Sequence, residues 1–265
     1  MLIDLNGRRI YYDLNGPENA QVICCTHSLS SDSGMWAEQL PLMLDAGYRV
    51  LRLDMRGHGG SDPVDGDYTI DALADDVAAA LDALAIDKVQ YMGLSIGGMI
   101  GQSFAIRHGG RLISAMLCDT LPATPAGGEA AWKERIGMVK EANSVAPLAD
   151  GTMDRWFTPA FKPGNEARWQ QIRSTIAMTT PAGYLGCAAA ILNFDFTSAL
   201  PSVKVPTLVV CGDEDEGTPP VANKKIAELI PGGRYEEIAS ARHFPNVEHP
   251  DVFNRIMMDW FNTHR

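Results

Sequence analysis

The sequence lacks a membrane-spanning run: nowhere in its 265 residues do apolar positions extend over the roughly 20 that a spanning helix needs. The start, Met1-Leu2-Ile3-Asp4-Leu5, has no basic flank leading into a long apolar segment, so no signal peptide is expected. Positive charge is also short, with 22 Lys and Arg against 33 Asp and Glu and a net charge of −11. Phosphate binding needs clustered cations, so nucleic acid and anionic membrane are poor partners. A small anionic ligand in a local cationic pocket stays compatible. The cysteines are few and odd in number: Cys24, Cys25, Cys118, Cys187 and Cys211. That count implies reduced thiols in a cytoplasmic protein. All but Cys187 sit in apolar, strand-like runs and read as small buried hydrophobes. No Cys/His spacing suits zinc. There are no internal repeats and no low-complexity tract, and nothing specifies an oligomeric state.

What is present is 46% hydrophobic and 21% charged, the balance of a soluble globular chain. Asn6-Gly7 between two short strands is a two-residue hairpin signal, the second strand being Ile10 to Leu14. Apolar runs recur at Val22 to Thr26, Val50 to Leu53, Val89 to Gly93, Ile113 to Cys118 and Thr207 to Cys211. Most are continuous rather than alternating, as in strands covered on both faces. Arg234 to Ile238 is more polar and suits an edge. Helical spacing falls between them. Ile70, Leu73, Val77, Leu81 and Leu84 share one face, with Thr69 as N-cap. Further helices are predicted from Ile96 to about His108, from Val221 to Ile230 and from Asp251 to Asn262. Such alternation predicts a mostly parallel, doubly covered sheet.

One stretch breaks the rhythm. Residues 122–200 carry helical patterns and almost no strand signal, and are expected as a helical insertion in a core made of 1–121 and 201–265. Seven basic and seven acidic residues make the insertion neutral, so the whole −11 lies elsewhere.

The chemistry is expected at Val89-Gln90-Tyr91-Met92-Gly93-Leu94-Ser95-Ile96-Gly97-Gly98, which reads strand, Gly-x-Ser-x-Gly, helix. A nucleophile at such a turn is strained, and Gly93 and Gly97 leave room for neighbouring backbone. The following helix points its N-terminus at the developing oxyanion. A serine nucleophile needs a base, and the base an orienting acid.

The elbow resembles that of the α/β-hydrolases, in which serine, acid and histidine follow in that order. The resemblance implies His243, in Ala239-Ser240-Ala241-Arg242-His243-Phe244-Pro245 after the last strand, as the base. His27, His58 and His108 fail the order, His264 is terminal, and His249 opens a helix. The acid should follow Thr207 to Cys211, in Gly212-Asp213-Glu214-Asp215-Glu216-Gly217. Asp215 holds the Gly-x-x-Asp position usual for the fold; Asp213 is the alternative and Asp119 a weaker one. The oxyanion hole should use the N–H groups of Ile96 and, from His27-Ser28-Leu29-Ser30-Ser31, of Leu29. Many relatives have His-Gly there, and Ser28 replaces the glycine. His27 reads as a structural hydrogen-bonder, and Asp54 to Ser61 as a mostly structural segment.

The resemblance extends further, to the 3-oxoadipate enol-lactonases. It rests on His27-Ser28-Leu29 with Met35-Trp36, on Arg56-Gly57-His58-Gly59, on Gly93 to Gly98, and on Thr218-Pro219-Pro220. Within the insertion it rests on Ala131-Trp132-Lys133-Glu134-Arg135-Ile136, Arg155 to Phe161 and Pro181 to Ala189. His27 departs from that family's usual Asn. The resemblance implies an α/β-hydrolase fold: an eight-stranded, mostly parallel sheet flanked by helices, with 122–200 as a helical lid. It implies a small unsaturated lactone bearing a carboxymethyl group as substrate, attacked by Ser95 with no metal or organic cofactor. Arg135 is the expected cation for that anionic substrate, with Trp132 and Trp156 as apolar walls. Other esterases and lactonases, carbon–carbon bond hydrolases and ligand receptors on the same scaffold share the triad pattern.

Overall fold

The computed structural model describes residues 1–5, 7–124 and 127–265. In chain order the elements begin β1 (Leu2–Asp4), β2 (Arg9–Asn15), β3 (Val22–Thr26), α1 (Leu40–Asp45), β4 (Arg49–Leu53), α2 (Ile70–Ala83), β5 (Val89–Leu94), α3 (Ile96–Arg107) and β6 (Leu112–Cys118). Four helices follow: α4 (Glu129–Ala142), α5 (Ala149–Trp156), α6 (Glu166–Met178) and α7 (Pro181–Leu192). The chain ends with β7 (Thr207–Gly212), α8 (Pro220–Leu229), β8 (Arg234–Ile238), α9 (Pro245–Glu248) and α10 (Pro250–Thr263).

The eight strands form one sheet in the order β1-β2-β4-β3-β5-β6-β7-β8. β1 and β2 pair antiparallel, as do β2 and β4, and every other pairing is parallel. The continuous apolar runs are the inner strands, and every residue of β3, β5 and β7 is buried. Alternate side chains feed two cores. Cys24, Val89 and Tyr91 pack with the α2 and α3 side, while Cys25, Met92 and Leu94 pack with Met43 of α1 and Phe253, Met257 and Phe261 of α10. From β3 the chain adds β4 on one side and β5 on the other. That reversal opens a crevice at the carboxyl ends of the central strands, where open α/β sheets bind ligands.

The predicted hairpin has its closing pair: Leu5 N–H donates to the Arg8 carbonyl (2.8 Å) and Arg8 N–H to that of Leu5 (3.4 Å). Gly7 takes a positive φ of 81°, and Asn6 lies outside the described residues. Strand and helix bounds fall within a residue or two of expectation. The short helices α1 and α9 were not expected, because six and four residues are too few to display a 3.6-residue period.

α4 to α7 leave and re-enter the sheet at one place. Ala123 bridges Asp195, Thr124 N–H donates to the Phe194 carbonyl (3.0 Å), and Phe196 N–H donates to that of Pro122 (2.9 Å). α7 is anchored at its cap, where Thr180 Oγ1 donates to the Gly57 carbonyl (2.8 Å), and α6 by the Arg168–Glu38 ion pair (2.8 Å). α4 is looser, with only Val139 buried. No single helix among the described residues is long and apolar enough to cross a membrane.

Thr69 caps α2, its side chain accepting from Ala72 N–H at 3.1 Å. Removing that acceptor orphans a helix N–H, so Thr69→Ala should lower stability by about 1 kcal/mol. Urea unfolding would read this as a lower midpoint at unchanged slope, and an unchanged midpoint would deny the cap its role.

Candidate active site

Ser95 stands between β5 and α3 with φ 62° and ψ −118°, a conformation that side-chain-bearing residues avoid. Its N–H donates to the Cys118 carbonyl (2.9 Å), and its own carbonyl accepts from Thr120 Oγ1 (2.8 Å). The turn is tight enough that a Cβ on Gly93 would lie 2.3 Å from the Gly97 carbonyl oxygen, and one on Gly97 2.7 Å from that of Thr26. Glycine at these two positions is therefore steric in origin. Ile96 is the first residue of α3, so its N–H has no partner within the helix.

His243 and Asp215 come from the loops after β8 and β7. His243 Nδ1 donates to Asp215 Oδ2 at 2.7 Å. That fixes the tautomer and leaves Nε2 as an acceptor. Of the four carboxylates in the 213–216 loop, only Asp215 is buried. The other donors to it are Gly217 N–H (2.8 Å), Thr218 N–H (3.0 Å) and the Thr218 hydroxyl. Burial alone would raise its pKa. The charge and hydrogen bond of His243, with the Thr218 donors, outweigh burial and hold it at about 2. The other histidines are engaged elsewhere: His108 with Asp75 (2.8 Å), His249 with the Ser240 carbonyl (2.8 Å), His264 with that of Trp260 (2.9 Å).

Ser95, Asp215 and His243 line one cavity of about 230 Å³. Leu29, Trp132, Arg135 and Trp156 line it too. Within the Leu29 loop, Ser28 N–H is taken by Met35 Sδ (3.3 Å) and Ser31 N–H by the Ser28 carbonyl (3.1 Å). Trp156 stacks on Phe244 with centroids 4.1 Å apart, fastening α5 to the histidine loop. Arg135 lies over the Trp132 ring, its guanidinium carbon 4.1 Å from the centroid.

Sequence reasoning missed a second cation. Arg155, an exposed residue, also lines the cavity, and among the described residues its guanidinium bonds to Thr152 Oγ1 alone (2.9 Å). Burial and then the nearby Arg135 charge lower its pKa. Among the described residues neither arginine pairs with a carboxylate. The signal for Arg155 was its place beside Trp156, but nothing linear says which face of α5 meets the cavity.

A family model described as the alpha/beta hydrolase fold matches residues 21–250. This chain belongs to the α/β-hydrolase family. The hydrolase is 33% identical to 3-oxoadipate enol-lactonase 1 of Acinetobacter baylyi, over 97% of this chain and 94% of that one. Its structure matches that of the enol-lactonase from Burkholderia xenovorans LB400 with a TM-score of 0.94 at 33% identity, covering 99% and 100% of the two chains. A thermophilic esterase from Thermogutta terrifontis, solved with malate bound, matches at a TM-score of 0.90 and 25% identity over 99% and 97%. The expected fold and the likeness to enol-lactonases both hold.

The hydrolase also carries a buried histidine pair behind the Leu29 loop. His27 Nδ1 donates to the Ser28 carbonyl (2.8 Å) while Nε2 accepts from Met55 N–H (2.9 Å), a pattern only a neutral ring can make. His58 packs against it with ring centroids 5.3 Å apart. Burial pushes His27 down to about 4, against the pull of the Ser28 carbonyl and Asp32. Burial, and then His27, push His58 down to about 3.

Both rings stay neutral in the fold, while the unfolded chain protonates them near the ordinary histidine value of about 6.5. The unfolded state therefore binds more protons below that pH, and stability is lost as pH falls from about 6.5 towards about 4. An asparagine at position 27 can donate to the Ser28 carbonyl from about where Nδ1 stands, and it does not titrate. His27→Asn should fold, stay active, and lose less stability between pH 7 and pH 4 than the parent. Thermal melts across that range check this, and parallel slopes for the two proteins would refute it.

Proposed function

We propose that the hydrolase opens a small carboxylate-bearing lactone, 3-oxoadipate enol-lactone, to 3-oxoadipate in aromatic catabolism, through Ser95, His243 and Asp215. The observation that carries the reading is one cavity holding a strained serine, an oriented imidazole and two guanidinia without carboxylate partners. Hydrolysis alone requires only the first two. The arginines give the cavity a preference for an anion, and the aligned relatives are named for such a lactone.

In this reading Ser95 Oγ attacks the ring carbonyl while His243 Nε2 takes its proton. The oxyanion is met by the N–H groups of Ile96 and Leu29. Collapse breaks the ring C–O bond, the enol oxygen receives the proton from His243, and the enol becomes a ketone. Water then attacks the acyl-serine, again giving a proton to His243, and the diacid leaves as Ser95 is restored. Asp215 offsets the imidazolium charge in both halves. Arg135 and Arg155 hold the carboxymethyl group between Trp132 and Trp156. The helices of 122–200 act as a lid on the core of 1–121 and 201–265. Five buried free thiols favour a cytoplasmic setting.

A second reading, a general carboxylesterase, draws on the esterase likeness and the apolar walls. The two separate on substrate. Loss of ultraviolet absorbance of the enol-lactone, with p-nitrophenyl acetate in parallel, should show fast lactone opening that Ser95→Ala abolishes. Cleavage of the aryl ester alone would keep the triad and remove the lactone. Full activity in Ser95→Ala would remove the mechanism. Arg155→Met should raise KM for the anionic lactone about tenfold, the equivalent of roughly 1.4 kcal/mol. It should change KM for the neutral aryl ester far less, and equal effects on both would deny Arg155 its carboxylate.

A further inference from the structure

The carboxyl of Asp119 is a buried acid that the reaction above leaves unused. Asp119 follows the last residue of β6 and is fully buried, with a left-handed backbone (φ 43°). Its N–H donates to the Val210 carbonyl (2.8 Å), and its Oδ1 accepts from Gly212 N–H (2.9 Å), so it is fixed to β7 at both ends. Oδ2 is buried with no partner. An oxygen of Asp119, an oxygen of Asp215 and a ring nitrogen of His243 all lie within 4.8 Å of one another.

Two carboxylates so close and so buried cannot both ionise cheaply. The donors decide which one does. Asp215 receives Gly217 N–H, Thr218 N–H, the Thr218 hydroxyl and His243 Nδ1–H, whereas Asp119 receives Gly212 N–H. The charge therefore resides on Asp215. Burial, followed by that neighbouring charge, pushes Asp119 well above the usual carboxylate range. The other titratable groups around it are the Cys118 and Cys211 thiols, themselves pushed up by burial, and Tyr235.

We propose that Asp119 is a reserve acid of the site, neutral beside a charged Asp215 and able, once ionised, to stabilise the His243 imidazolium when Asp215 is removed. The proposal rests on Ser95, His243 and Asp215 acting as above. In the parent protein Asp119 is a positioning residue, holding the acid loop through Gly212. Without Asp215, the like charge that adds to burial in keeping Asp119 neutral is gone, so its proton leaves to solvent at a lower pH than in the parent. Its carboxylate then lies near enough to offset the imidazolium formed when Nε2 takes the Ser95 proton. That step still moves one proton, from Oγ to Nε2.

The test compares Asp215→Ala with Asp215→Ala/Asp119→Asn, using p-nitrophenyl acetate from about pH 6 to about pH 10. Alanine is used at 215 because an amide there would donate to Nδ1 and select the wrong tautomer. Asp215→Ala should hydrolyse the ester at least about tenfold faster than the double variant, with a rate that climbs with pH along a limb the double variant lacks. Equal rates and equal profiles overturn the proposal. Should the double variant not fold, infrared spectra decide. A protonated-carboxyl C=O band should be present in the parent at neutral pH and, in Asp215→Ala, disappear over the pH range in which the rate climbs, and its persistence in Asp215→Ala up to about pH 10 overturns the proposal. Turnover retained by Ser95→Ala would instead bring down the underlying mechanism, a separate outcome read from a separate variant.

Discussion

The backbone of Ser95 is the constraint around which the molecule is arranged. A non-glycine residue held at φ 62° and ψ −118° costs on the order of 1–3 kcal/mol and persists only where its surroundings over-determine it. Here they do. The Ser95 N–H and carbonyl are both held by the end of β6, through Cys118 and Thr120, and the carbonyl also accepts from Met99 N–H (3.0 Å). The two glycines let β5, α3 and the end of β3 approach more closely than any Cβ would allow. Such an approach requires the central strands to keep their spacing, and their complete burial between two apolar cores supplies that rigidity.

The same strand ends couple Ser95 to Asp215. Thr120 Oγ1 reaches Ser95, while Thr120 N–H donates to Asn223 Oδ1 (3.0 Å). Asn223 Nδ2 donates to the Thr218 carbonyl (2.7 Å), and Thr218 holds Asp215. Serine and carboxylate are 120 positions apart in the chain, yet a run of buried, paired polar groups joins them. Buried polar groups specify a unique arrangement when all are satisfied and cost heavily when one is not. The histidine is tied from another direction. Glu248 accepts from Thr158 N–H (2.9 Å) and from Arg242 N–H (3.0 Å), which joins the His243 loop to the end of α5. A helix that forms the cavity wall thereby also positions His243.

What the sequence disclosed follows from how local each feature is. Inner strands buried on both faces must be apolar throughout, so Val22 to Thr26 and Thr207 to Cys211 were legible as strands without any partner in view. The elbow was legible because its demands, glycine on both sides of a serine between strand and helix, fall within a few residues. His243 and Asp215 needed the order implied by resemblance, since neither loop announces which side chain turns inward. Burial separates Asp215 from its three exposed acidic neighbours, and that depends on packing against β8 and the histidine loop. Arg155 and Asp119 were harder. Arg155 matters through its distance from Arg135 on another helix, and Asp119 through Asp215, 96 positions later. Proximity of that kind leaves no period or motif behind.

Charge gives the last link between fold and site. A chain carrying −11 repels an anion at long range, but charges separated by more than about 8 Å are largely screened at physiological salt. Much of the negative surface is also matched on site: Asp71 and Asp75 meet Arg107, Asp76 meets Arg56, and Asp82 meets Arg111. In the cavity the balance reverses. Two guanidinia stand against one carboxylate, Asp215. A carboxylate arriving there meets net positive charge in a partly desolvated setting, where Coulomb attraction is strongest. Asp119 does not line the cavity but lies within 4.8 Å of Asp215, and were it ionised as well its charge would offset part of that attraction. The fold that strains Ser95 into place also keeps Asp119 dry, so the Ser95 turn and the charge balance around Asp215 have a common origin at the end of β6.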